Sequence, residues 1–160
     1  MNITVDKKLL RNGPHKRQMT KIANSPFQRL LGVWKTSGQI LSGGNTISLT
    51  GTDSYELILD DNYILHKADV MMGDEKSETF EIIGLDGSSE KAAMNYFNAN
   101  GESGTMTGRI EGDDFMINGD GLKFSGKINE ANTAVIGKWF QQAKDNSWVE
   151  FIDLKLEKQK

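Results

Sequence analysis

"LGVWKTSGQI" at residues 31–40 is echoed by "IGKWFQQAKD" at residues 136–145. Each copy sets a glycine two positions ahead of a tryptophan, Gly32 with Trp34 and Gly137 with Trp139, and a polar stretch follows. Glycine lets a strand bend sharply or approach a neighbour closely. In extended backbone, the tryptophan two residues on lies on the same face. A pair of this kind near each end of the folded segment suits a sheet that curls round to meet itself. Nothing else around the two copies repeats, so they read as closure chemistry and not as a duplicated unit. The expectation is that Gly32, Trp34, Gly137 and Trp139 lie on the two strands that meet at the seam, with the tryptophans plugging the floor of a barrel.

Between the two copies the pattern has period two, interrupted by turn signals about every 8–14 residues. They include Gly43-Gly44, Asp60-Asp61-Asn62, Gly73-Asp74, Asp86-Gly87, Asn100-Gly101, Gly112-Asp113, Gly119-Asp120-Gly121 and Asp145-Asn146. Asn-Gly and Asp-Gly favour the positive φ of tight hairpins. Strands so joined are antiparallel neighbours, because parallel pairing needs a long crossover. The strands are placed near 32–40, 46–50, 53–60, 62–72, 76–85, 91–99, 104–111, 114–118, 122–129, 133–142 and 147–157, with some merging. Such a meander closes on itself to remove its edges. The fold class is all-β, a closed antiparallel up-and-down barrel of about 8–10 strands.

Upstream, "NSPFQRLLGVW" sets Ser25 as an N-cap and Pro26 as the first helical residue, where its missing N–H costs nothing. A short helical turn is expected through about Leu31. Residues 1–24 carry Lys7, Lys8, Arg11, Lys16, Arg17 and Lys21 against Asp6 alone, so they read as a basic arm, a tail or short helix. Residues 25–160 read as one barrel domain. With a net charge of −3 overall, the body is acidic and repels phosphate backbones, so no nucleic-acid partner is expected for the barrel. There is no cysteine, hence no disulfide and no thiolate chemistry. No stretch approaches the roughly 20 apolar residues of a membrane helix. The start lacks an apolar leader run, and a cytoplasmic protein is expected.

The helical turn followed by Gly32-Val33-Trp34 resembles the first signature of the lipocalins and the wider calycin superfamily. More specifically, "GTDSYELILDDNYILHKADVMMG", "FEIIGLDGSSEKAAMNYFNANGE" and "LKFSGKINEANTAVIGKWFQQAKDNSWVEFIDLKLEK" are similar to a group of bacterial lipocalin-like proteins known as a domain of unknown function. The resemblance runs from Leu31 to Lys155. It implies a calycin-type barrel with an internal cavity and brings no catalytic residues. Related barrels that bind haem use a histidine late in the chain. Here the only histidines are His15 and His66, so no haem, and no other cofactor, is expected.

Alternation sorts the candidate residues by face. In "YILHKADV", His66 shares a face with Ile64, Ala68 and Val70 and points inward. There it would orient a polar ligand group, serve as a base, or simply be a hydrogen-bonded core histidine. Glu150 falls on the face of Trp148, Ile152 and Leu154, where a carboxylate needs a partner or water. A bulge turning it outward, or neutralisation by Arg109, is the plainer alternative. Meeting across the lumen, His66 and Glu150 would form an acid–base pair. Tyr96, Met94, Trp139, Phe80, Ile82, Phe115, Ile117 and Phe124 complete an apolar lumen, or equally a packed core. Asp113, Asp114, Asn118 and Asp120 lack calcium-loop spacing, and no metal is expected. Three functions fit: a barrel binding a small apolar ligand, with His66 and Tyr96 as polar anchors; an interaction module with a filled barrel; and a hydrolase or isomerase using His66 and Glu150.

Overall fold

Ten strands carry the chain around the barrel. The computed structural model describes residues 20–160. They are β1 (Gly32–Ser42), β2 (Asn45–Ile58), β3 (Tyr63–Met72), β4 (Glu75–Leu85), β5 (Lys91–Asn98), β6 (Ser103–Glu111), β7 (Asp114–Gly119), β8 (Leu122–Ile128), β9 (Ala134–Gln142) and β10 (Trp148–Lys158). Each pairs antiparallel with its sequence neighbours, and β1 pairs with β10 to close the barrel. The two segments expected at 46–50 and 53–60 are one strand, β2. Gly51 between them is not a turn residue: a side chain there would run into the backbone of Asp69 on β3. Glycine at this point permits a close approach inside a continuous strand.

Turn chemistry explains the hairpins. Gly43, Gly73, Gly87, Gly101, Gly112 and Gly121 all take positive φ at the connections. The β2–β3 turn does so without glycine, with Leu59, Asp60 and Asp61 at φ of 51°, 55° and 63°. Side chains disfavour that region. This turn is held by the N-terminal segment: Lys21 Nζ donates to the Asp60 carboxylate and carbonyl, both at 2.9 Å, and Ala23 N–H donates to Asp61 O at 3.3 Å.

That segment closes one end of the barrel. It forms two short 3-10 turns, Ile22–Asn24 and Pro26–Leu30, with Ser25 capping the second by accepting from Phe27 N–H at 3.2 Å. Ile22, Phe27 and Leu30 are fully buried in the core. Burying each such side chain contributes about 1.5–3 kcal/mol. The packed part of the chain therefore reaches back to Ile22, before the boundary at residue 25 that composition suggests; residues 1–19 of the basic arm lie outside the described residues. Arg29 fastens the plug to two hairpin turns by donating to Asn132 Oδ1, Gly112 O, Asp113 Oδ1, Asn129 O and Ile128 O. No helix among the described residues is long and apolar enough to cross a membrane.

The seam differs from expectation. β1 meets β10, from Trp34 opposite Lys158 to Ile40 opposite Ile152. Gly137 and Trp139 lie on β9, one strand away. The strand that closes the barrel, "WVEFIDLKLEK", carries no Gly-x-Trp; its close approach is at Gly38 of β1, where a side chain would strike the Asp153 carbonyl. Gly137 instead lets β8 and β9 crowd together under Phe124, whose ring would lie 2.5 Å from a Cβ at this position. Trp34 is fully buried at the plugged end, donates its indole N–H to Leu30 O at 2.7 Å, and lies under Lys158 Nζ at 4.8 Å.

Candidate functional site

Pleating aims every second side chain of each strand into the lumen. On β2, Leu49, Asp53 and Tyr55 turn inward; on β3, His66 and Ala68; on β4, Thr79 and Glu81; on β5, Met94 and Tyr96. Hairpin register then sets Tyr55 opposite His66, His66 opposite Glu81, and Glu81 opposite Tyr96. The result is a polar row running across four adjacent strands.

Within this row His66 is doubly bound. Its Nε2 lies 2.6 Å from Asp53 Oδ1 and its Nδ1 lies 3.0 Å from Glu81 Oε1. The side chains of His66, Asp53 and Glu81 are 16%, 11% and 7% exposed. Thr36 of β1 donates its hydroxyl to the second Asp53 oxygen. The Tyr55 ring stacks on the imidazole at 4.0 Å, tilted by only 7°. Burial opposes charge on the ring, but the bonds to Asp53 and then Glu81 overcome it and hold the His66 pKa up to about 9. At neutral pH His66 is therefore an imidazolium donating from both nitrogens. Burial, followed by the Asp53 and Glu81 charges, pushes the Tyr55 hydroxyl well above the usual tyrosine range.

The row faces a cavity of about 400 Å³. Its far wall is apolar, built from Phe115, Ile117, Phe124, Trp139, Ile152 and Leu154. Phe115 meets Phe124 edge-on at 5.5 Å, and Phe124 meets Trp139 at 5.3 Å. A second concavity, a groove of about 600 Å³ on the outside of β8, β9 and β10, is flanked by Lys127, Lys138 and Asp153.

The sequence candidates separate cleanly. His66, Tyr96, Trp139, Phe115 and Phe124 line the cavity, and Met94 is buried in the core next to it. Phe80 does not: it is 52% exposed on the outer face, paired with the 56% exposed Phe97 and lying 5.5 Å beneath Lys67 Nζ. Ile82, on the same face of β4, turns away with it. The strand's apolar residues occupy both faces, Phe80 and Ile82 on one and Ile83 and Leu85 on the other, and the lumen took the second set. Glu150 is also outside. A bulge between Glu150 and Ile152 shifts the alternation, and Glu150 Oε1 pairs with Lys138 Nζ at 3.2 Å, not with Arg109. His66 and Glu150 therefore do not meet, and the acid–base pair they would have formed is not made. Asp53, Glu81, Thr36 and Tyr55 were missed. A two-residue turn at Gly73-Asp74 sets Met72 opposite Glu75, and counting back along the hairpin brings Glu81 to His66. Among the described residues, no group of three or more His, Asp or Glu is arranged to hold a metal ion.

The family described as "Protein of unknown function (DUF1579)" matches residues 23–158. None of the curated proteins compared matches the chain. Among the solved structures similar to it is the crystal structure of Rv2717c from M. tuberculosis, at a TM-score of 0.67 and 10% sequence identity, covering 89% of this chain and 99% of that one. At that identity the likeness shows a shared fold.

Proposed function

The chain belongs to the DUF1579 family of proteins of unknown function, and from that premise we propose that it binds a small, mainly apolar molecule inside the barrel. The cavity carries this reading: about 400 Å³ beside a plugged end, with apolar walls and one polar row. Ligand sites are typically concave, mostly apolar and furnished with a few placed polar groups. Met72 and Met106 at its lining add adaptable surface. We read the barrel as lipocalin-like; the plugging 3-10 turns and the buried Trp34 at the start of β1 support this.

The geometry favours binding over acid–base catalysis. Both His66 nitrogens are engaged by carboxylates, which leaves no ring nitrogen to take a proton from a substrate. The interaction-module reading draws on the exposed pair Phe80 and Phe97, but two side chains make a small patch beside those that mark interfaces. Native mass spectrometry before and after delipidation tests the proposal, together with titration of the neutral dye Nile red. The expected result is a bound small molecule lost on delipidation and saturable dye binding by the emptied protein. A single unliganded mass that never changes, with no dye binding, would sink it.

A further inference from the structure

A lumen ligand needs a partner for its polar group, and one oxygen in the row stands ready. Asp53 has both oxygens engaged, one by His66 and the other by Thr36. Glu81 has only Oε1 engaged. Among the described residues no donor reaches Glu81 Oε2, although the side chain is more than nine-tenths buried and lines the cavity. That oxygen opens on the cavity, where it is free to accept a hydrogen bond from a ligand, and a charged donor makes the stronger bond to a carboxylate. The charge balance points the same way: a single imidazolium faces two carboxylates, so the row carries surplus negative charge. Tyr96, opposite Glu81 on β5, lies over Gly104, where its hydroxyl would be 2.6 Å from a Cβ. Glycine thus makes room for the Tyr96 ring within the lumen.

Resting on the lumen-binding reading, we propose that Glu81 Oε2 anchors a protonated amine, so that the ligand class is an amine with an apolar body. A fatty acid would bring a third negative charge to the row. A neutral alcohol would satisfy the oxygen but leave the surplus charge uncompensated.

Calorimetric titration at pH 7 with n-octylammonium, n-octanol and n-octanoate, which share one tail and differ in the head group, tests the assignment. The ammonium is expected to bind about tenfold tighter than the alcohol, as charge-assisted bonds outweigh neutral ones, and the carboxylate weakest. Glu81→Gln should bring ammonium down to the alcohol's affinity and leave the alcohol within about twofold. Octanoate binding as tightly as octylammonium, or a preference surviving in Glu81→Gln, would overturn the anchor. The head-group series on the unaltered protein decides the matter even where the variant does not fold. Octanol and Nile red binding with no head-group preference leaves the lumen reading standing and removes the anchor. No binding by any of the probes removes the lumen reading itself.

Discussion

The two walls of the lumen are built on different principles. The wall from β2 to β5 holds Tyr55, His66, Glu81 and Tyr96 in one row, in which charge and hydrogen bonds join His66 to Glu81 and Asp53. The wall from β7 to β10 holds Phe115, Phe124, Trp139 and Leu154, bound by contact alone. Both sides are pleated antiparallel sheet, the second interrupted by the bulge in β10. What differs is the currency of stability: the first wall depends on protonation, the second on volume. The proposed function rests on the first because a barrel with only a packing problem would have used apolar residues there as well.

The sharpest way to break this comparison is His66→Phe, which leaves two carboxylates facing each other without a cation. We expect a loss of about 5 kcal/mol in urea unfolding at pH 7, at the upper end for a broken buried pair. On the opposite wall, Phe124→Ala empties the space above Gly126 and Gly137 and should cost about 3–4 kcal/mol. That cost is expected to be equal at pH 6 and pH 9, and a marked difference would merge the two walls.

The pH dependence of the unaltered protein sharpens the contrast. The folded-state pKa of His66, about 9, is above the ordinary value of 6.5. Its contribution is therefore fully present below about pH 6.5 and is lost as pH rises through about 9. The change should be on the order of 3 kcal/mol, read as a falling urea midpoint. His66→Phe should flatten that fall. Away from both walls, Arg29→Ala releases the plug from two hairpins and should cost about 2 kcal/mol, with faster hydrogen exchange at Gly112 and Asn132. Glu150→Gln removes an exposed pair with Lys138 and should leave the urea midpoint unchanged.

Much of the barrel was legible because turns and alternation are local. Ser25 and Pro26 marked the helical turn that closes one end, and Asp60-Asp61-Asn62 and Gly73-Asp74 marked hairpins where they form. His66 was placed inward by four residues of β3 alone. The polar row was not read. Asp53 was hidden because Gly51-Thr52 looked like a break between strands, and Glu81 because Phe80 and Ile82 claimed the inner face.

The amino-acid order by itself determined the antiparallel connections and the helical turn ahead of β1, since each depends on residues adjacent in the chain. Only the folded barrel decided which strands share the seam, that a bulge carries Glu150 outside, and that Asp53, His66 and Glu81 converge. Those outcomes depend on register between strands, where one residue of slip exchanges inside for outside, and on closure, which involves every strand at once.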